Sequence, residues 1–167
     1  MNELGKVELD EYEAYSDVLE QRLGLSSSKH PIVIRGYTTT GIDSFSQDLV
    51  DFLEGRFGIR DIQKRNLKPH QLENRFTSNA NIILLSEEDI RGAALSPNGM
   101  WDWNKFRSEY DSAIYELSRV SFDNDHKLAH LCFGFQADYH MGYGCHFILE
   151  NKQGKWTIKH ELPAWKS

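Results

Sequence analysis

The chain has 167 residues, of which 40% are hydrophobic and 26% are charged. This composition excludes a disordered chain, and the length is sufficient for one domain with its own core. The formal charge of −6 argues against nucleic-acid binding through a broad basic surface, because neutralising phosphates requires clustered Lys and Arg.

The N-terminal residues lack the apolar region of a secretory signal. No apolar run approaches the roughly 20 residues of a membrane span. We therefore expect a cytoplasmic protein that binds neither membranes nor nucleic acid.

Apolar residues at helical spacing, with capping and stop signals, predict helices in the first half of the chain. The predicted helices run from Asp10 to Leu23, from Ser44 to Phe57 and, in a shorter form, from Pro69 to Phe76. The basic stretch 56–68 is interpreted as solvated surface, since it also contains an aspartate and apolar residues.

Two apolar runs in the same half predict strands. One begins at Pro31 and reaches Thr40, and the other covers Ile82 to Leu85, after which Ser86 caps an acidic turn. Further along, Phe106 and Tyr110 lie one turn apart, which suggests a helix that carries aromatic side chains inward.

From Leu117 onward the hydrophobic period changes to two, which indicates β-strands. Four consecutive strands are predicted: one around Val120 and Phe122, then Leu128 to Ala137, Tyr143 to Glu150, and Lys155 to Leu162. Short connections favour a meander of hairpins, covered by the upstream helices. The predicted fold is α+β: a single domain, 1–167, with a C-terminal four-stranded antiparallel meander under N-terminal amphipathic helices.

The C-terminal third carries Ser-Arg-Val-Ser-Phe at 118–122, a glycine-rich third strand, and Gly-Lys-Trp-Thr-Ile at 154–158 before a Trp-Lys-Ser end. These motifs resemble those of a family of small bacterial proteins of unknown function. Family members similarly have Ser-Arg-Val-Gly-Phe, a Gly-x-Gly strand and a Gly-x-Trp-x-Val hairpin near Trp-Ile-Ser. Here Ser121 stands in place of glycine and Lys166 in place of isoleucine. The resemblance implies a fold and no activity.

The histidines and cysteines of the predicted meander are candidate metal ligands or catalytic residues. His140, Cys145 and His146 include zinc-type ligands, but their spacing fits no standard finger, and strand alternation places Cys145 and His146 on opposite faces. His126, His130 and His160 lack a recognisable partner nucleophile. We therefore predict no metal, no cofactor and no catalytic residue.

The two cysteines, Cys132 and Cys145, fall in neighbouring predicted strands. We expect two buried reduced thiols, because free cysteine is among the most buried residue types. A disulfide between them remains open at this point, since it depends on the register of the two strands.

A group of aromatic and methionine residues predicts a partner-binding surface, since the segment 139–143 falls in a hairpin connection and such connections are exposed. Its members are Trp101, Trp103, Tyr139, His140, Met141 and Tyr143. With the acidic charge, this favours a non-catalytic protein-binding module for a basic partner, such as an immunity-type protein that neutralises a toxin. The alternative is a small hydrolase or ligand-binding protein, with a pocket between helices and sheet lined by His130 or His160.

Overall fold

The helices and strands are taken from a computed structural model that describes residues 5–40, 45–53, 55–78 and 80–167. The helices are α1 (Leu9–Leu23), α2 (Gln47–Leu53), α3 (Ile59–Arg65), α4 (Glu87–Ala94) and α5 (Trp103–Tyr110), with a 3-10 turn at Leu25–Ser27. The strands are β1 (Gly5–Lys6), β2 (Ile32–Arg35), β3 (His70–Gln71), β4 (Ile82–Leu85), β5 (Ile114–Leu117), β6 (Ser121–Phe122), β7 (Leu128–Asp138), β8 (Met141–Lys152) and β9 (Lys155–Lys166).

Local signals explain where three of the helices begin and end. α1 stops at Gly24, which has a left-handed φ of 60° that glycine adopts without a steric penalty. α4 begins at Ser86, whose hydroxyl accepts a hydrogen bond from the Asp89 backbone N–H at 3.1 Å. α5 begins at Asp102, whose carboxylate accepts hydrogen bonds from two backbone N–H groups. The predictions of α1, of the Ser86 cap and of a helix that carries Phe106 inward are confirmed, whereas the acidic turn predicted after Ser86 is a full helix.

The central sheet has seven strands in the order β4-β2-β5-β7-β8-β9, with β6 beside β7. β2 pairs in parallel with both β4 and β5, whereas the pairs from β5 to β9 are antiparallel. The chain is therefore an α+β protein with a mixed sheet. The sheet is not the predicted four-stranded antiparallel meander, although β6, β7, β8 and β9 pair antiparallel in chain order within it. Short connections predict pairing only between strands that are consecutive in the chain. Parallel strands are joined by long crossover connections, so their pairing is not predicted in this way.

Several predicted boundaries also differ from the structure. The predicted helix from Pro69 to Phe76 is wrong, because β3 lies there and pairs in parallel with β1. The stretch interpreted as solvated surface contains α3, whose Ile62 is buried. The helix predicted to begin at Ser44 begins at Gln47 in the structure, as α2. Ser44 itself lies outside the described residues.

Apolar side chains cover both faces of the sheet. One face packs against α1 in the largest cluster, which includes Leu131, Phe133 and Phe147. The opposite face carries two smaller clusters, one with α4 and α5 around Ile114, and one with α2 and α3 around Ile148. Between these two apolar clusters, the same face of the sheet carries polar residues and glycines. This polar region is the candidate site.

Candidate functional site

The strand register places the site residues in adjacent rows across β5, β7, β8 and β9. Glu116, Gly134, Gly144 and Trp165 occupy successive paired positions and form the first row. In the next row Cys132 lies directly opposite His146. His130 points to the same face as Cys132, because side chains two residues apart on a strand share a face.

His130, Cys132 and His146 contact one another through their polar atoms, and we call them the His-Cys cluster. Nε2 of His130 lies 3.0 Å from Nδ1 of His146, and Sγ of Cys132 lies 3.1 Å from the same nitrogen. The potential ligand atoms of the three residues all lie within 4.8 Å of one another. The cluster therefore places two imidazole nitrogens and one thiol sulfur close to one another.

The His-Cys cluster is shielded from solvent by aromatic side chains. His130 and His146 are both buried, and Cys132 is half-buried. The ring of Phe45 stacks on His146 with 5.4 Å between centroids, and Phe57 lies 6.5 Å from His130. Within the described residues, Nδ1 of His130 has no hydrogen-bond partner, so its one polar contact there is with His146.

Burial controls the protonation of this cluster. Burial lowers the pKa of His130 to about 3, and the nearby His146 contributes to the same direction. Burial also raises the pKa of the Cys132 thiol far above its ordinary value. At neutral pH His130 is thus uncharged and the thiol is protonated, which makes Cys132 a poor nucleophile in the absence of a bound cation.

A small pocket of about 170 Å³ adjoins the cluster, and we call it the glycine cleft. Its walls include Cys132, His146, Gly134, Gly144 and Trp165. A Cβ atom at Gly144 would lie 2.0 Å from Nε1 of Trp165, so the indole can lie over this strand only because residue 144 has no side chain. The cleft is smaller than the roughly 300–1,000 Å³ of most drug-sized ligand sites.

The acidic residue of the cleft is already paired. Glu116 forms an ion pair with Arg35, and less than a third of either side chain is exposed. Arg35 also donates a hydrogen bond to the Tyr37 hydroxyl at 2.8 Å. Thr39 and Thr40 complete this side of the cleft, so its polar groups are an ion pair and two hydroxyls.

The structure assembles a His-Cys group different from the one that the sequence suggested. Cys145 faces the opposite side from His146 and packs in the core against α1, as strand alternation predicted. His140 lies exposed in the β7–β8 turn, and His160 is exposed with its ring 4.8 Å from Phe52. The shared face of His130 and Cys132 was visible in the sequence, whereas their position opposite His146 depends on the β7–β8 register.

The predicted partner-binding residues separate into exposed and buried groups. Tyr139, His140 and Met141 are exposed, and Trp101 is half-buried. Trp103 is buried against Phe106. Tyr143 faces the α1 side of the sheet, where its hydroxyl accepts a hydrogen bond from Arg22 at 3.2 Å.

One contact joins the exposed members into a single surface. The Tyr139 hydroxyl donates a hydrogen bond to the backbone carbonyl of Trp101, which links the β7–β8 turn to the segment before α5. Met100 in that segment is also exposed, although it is not among the partner-binding residues predicted from the sequence. Met100, Tyr139 and Met141 are 65%, 55% and 59% exposed. We call Met100, Trp101, Tyr139 and Met141 the apex patch.

Comparisons with known proteins give no match to a family model, to a curated protein or to a solved structure. No helix in the part of the chain that the structure describes is long and apolar enough to cross a bilayer.

Proposed function

We propose that the protein is a non-catalytic binding module that captures a basic protein through the apex patch. The observation that carries the proposal is the Tyr139–Trp101 contact, which brings exposed apolar side chains from two segments together. Tyrosine, tryptophan and methionine are enriched in protein interfaces, and residues of the first two types supply much of the binding energy.

The charge of the chain supports a basic partner. The net charge of −6 speeds the encounter with a positively charged protein and disfavours acidic ones. An immunity-type role, in which the chain neutralises a basic toxin, would use such a complex. The resemblance to a bacterial family fits this setting but adds no activity.

Support for a non-catalytic role comes from the protonation of the buried cluster. In the absence of a bound cation, the raised pKa of the Cys132 thiol keeps this thiol protonated at neutral pH, and the lowered pKa of His130 keeps its imidazole uncharged. A cysteine nucleophile needs a thiolate, which depends on a positively charged neighbour or a helix N-terminus.

The test compares capture of a partner by the wild type and by patch variants. Tyr139→Ala combined with Met141→Ala removes two exposed side chains of the apex patch, whereas Leu9→Ala and Leu67→Ala remove equally exposed apolar side chains elsewhere. A partner that copurifies with the wild type should be basic, and its binding to the patch variant should weaken about tenfold or more. Its association rate should also fall with added salt.

Two outcomes would overturn this proposal. One is a captured protein that binds the patch variant and the wild type equally. The other is a partner that is acidic or whose association rate does not depend on salt. Circular dichroism of each variant would verify that the fold is retained.

A second candidate function, binding of a small ligand, is favoured by the glycine cleft. Trp165 forms one wall and is itself 43% exposed, so a ligand of a few heavy atoms could stack on its indole beside Thr39 and Thr40. Screening a set of small polar compounds by NMR would test this, with the indole N–H resonance of Trp165 as the reporter. Shifts confined to other tryptophans would contradict binding in the cleft.

A further inference from the structure

We propose that His130, Cys132 and His146 bind a divalent transition-metal ion such as zinc, with the fourth coordination position open to the glycine cleft. This site is separate from the apex patch and does not depend on the proposed function. It rests on the chemistry of the three side chains, on their spacing and on their position beside a pocket.

The residue types fit zinc. Neutral imidazole nitrogen and thiolate sulfur are the ligands that bind zinc in structural and catalytic sites. A set of one sulfur and two nitrogens excludes calcium and magnesium, which take oxygen ligands. The three residues come from two adjacent, hydrogen-bonded strands, so the backbone holds them in fixed positions.

The spacing is close to that of a tetrahedral site. With zinc about 2.0 Å from nitrogen and 2.3 Å from sulfur, tetrahedral ligands lie about 3.3 Å apart for two nitrogens and about 3.5 Å apart for nitrogen and sulfur. The observed distances are 3.0 Å between the two imidazole nitrogens and 3.1 Å between the thiol sulfur and His146. These two contacts must lengthen by only a few tenths of an ångström to hold a metal ion, and the ligand atoms of the third pair, His130 and Cys132, lie within 4.8 Å of each other.

The binding step exchanges protons for the ion. The cysteine S–H bond breaks, its proton leaves to solvent, and the sulfur donates an electron pair to the metal. Each imidazole presents a lone pair, so the proton between the two rings moves to an outer nitrogen. The outer nitrogen of His130 has no acceptor among the described residues. Sites that lack such a partner bind metal about 10–100-fold more weakly, and we expect a correspondingly moderate affinity.

The position of the cluster leaves one side of the ion accessible. Cys132 and His146 line the glycine cleft, whereas His130 lies deeper against Phe57. The described residues supply three protein ligands and leave a fourth position facing a pocket, which is the arrangement of zinc sites that hold water or a small ligand. Closed structural sites use four protein ligands instead.

The experiment is a titration of the full chain, freed of metal by a chelator, with cobalt(II) as a spectroscopic probe for zinc. The wild type should bind one cobalt ion per chain and show the ultraviolet charge-transfer band of a cobalt–thiolate bond, which added zinc abolishes. Cys132→Ser should lose this band and bind at least about tenfold more weakly. Cys145→Ser is the matched control, since it removes the other cysteine next to His146 and should behave like the wild type.

Thermal unfolding gives an independent measurement. Zinc should raise the melting temperature of the wild type and of Cys145→Ser in a concentration-dependent way, and should raise that of Cys132→Ser clearly less at the same concentration, because an ion that binds only the folded state stabilises it by mass action. The proposal is overturned if the wild type shows no charge-transfer band after cobalt is added. It is equally overturned if the band survives in Cys132→Ser or is lost in Cys145→Ser.

Discussion

Arg119 and Glu11 form a buried ion pair that ties α1 to the segment between β5 and β6. Nη2 of Arg119 lies 2.5 Å from one carboxylate oxygen, and Nε lies 2.9 and 3.0 Å from the two oxygens. The carboxylate also accepts the backbone N–H of Val120 at 2.7 Å. Arg119 belongs to the Ser-Arg-Val-Ser-Phe segment at 118–122, and it holds this segment against α1.

Arg119→Met is expected to destabilise the protein strongly. Among the described residues, it leaves the fully buried Glu11 carboxylate with Arg65, the Tyr15 hydroxyl and backbone N–H groups as partners. Breaking one side of a buried pair costs up to about 3–5 kcal/mol, and Arg65 compensates only part of the remaining charge. Urea unfolding monitored by tryptophan fluorescence should therefore show a clear fall in the midpoint.

The control for this variant is an exposed pair on α4. Arg91 lies 3.8 Å from Glu87, and both side chains are largely exposed. Arg91→Met should change the free energy of unfolding by less than about 1 kcal/mol, since such pairs are screened by solvent. Equal effects of the two arginine substitutions would contradict a stabilising role for the buried pair.

Gly144→Ala is expected to displace Trp165 from the cleft. The new methyl group would overlap the indole ring, whose Nε1 lies 2.0 Å from the ideal Cβ position. Because overpacking of this kind costs about 1–3 kcal/mol, the variant should unfold at lower urea concentration. The fluorescence of the folded protein should also change, as Trp165 moves further into water.

Gly92→Ala provides a comparison with the opposite sign. Gly92 is exposed within α4, and a Cβ atom there would meet nothing within 4 Å. Alanine in a helix is more stable than glycine by about 1 kcal/mol, so this variant should unfold at higher urea concentration. If Gly144→Ala is as well tolerated as Gly92→Ala, the indole does not lie over the strand.

Local patterns were sufficient to predict α1, the cap at Ser86 and the alternation of faces along β7. They were not sufficient for the parallel pairing of β2 with β4, because no local signal records which distant strands meet. The His-Cys cluster could be predicted only in part. A bulge between Gln136 and Asp138 shifts the register near the turn. Since a slip of one residue exchanges the two faces of a strand, the sequence could not show which residues face Cys132.

The two cysteines are expected to be free thiols in the isolated protein. Both are reduced in the structure, and they point to opposite faces of the sheet, which excludes a disulfide without rearrangement of the backbone. Titration with Ellman's reagent after unfolding in the absence of reductant should give two thiols per chain. In the folded protein Cys145 should react slowly, since burial raises its pKa to about 12. A value near zero after unfolding would contradict the observed pairing of the strands.

The last prediction concerns β9, which is an outer strand of the central sheet, at the edge opposite β4. Exposed strand edges invite pairing with other chains, and here side chains of α1 occupy part of the edge. The Asp17 carboxylate accepts the backbone N–H of Trp156 at 2.7 Å, and the Gln21 amide bonds the backbone of Trp156 and Ile158 at 2.7 and 3.0 Å. α1 thus satisfies backbone groups that have no further strand to pair with.

Asp17→Ala combined with Gln21→Ala should therefore free this edge. We expect a loss of about 1–3 kcal/mol in the free energy of unfolding for these contacts, together with self-association that increases with protein concentration. Glu13→Ala is the matched control, because Glu13 is exposed on the same helix. Sedimentation velocity at several concentrations would measure the association. A double variant that stays as monomeric and as stable as Glu13→Ala would show that α1 does not protect the edge.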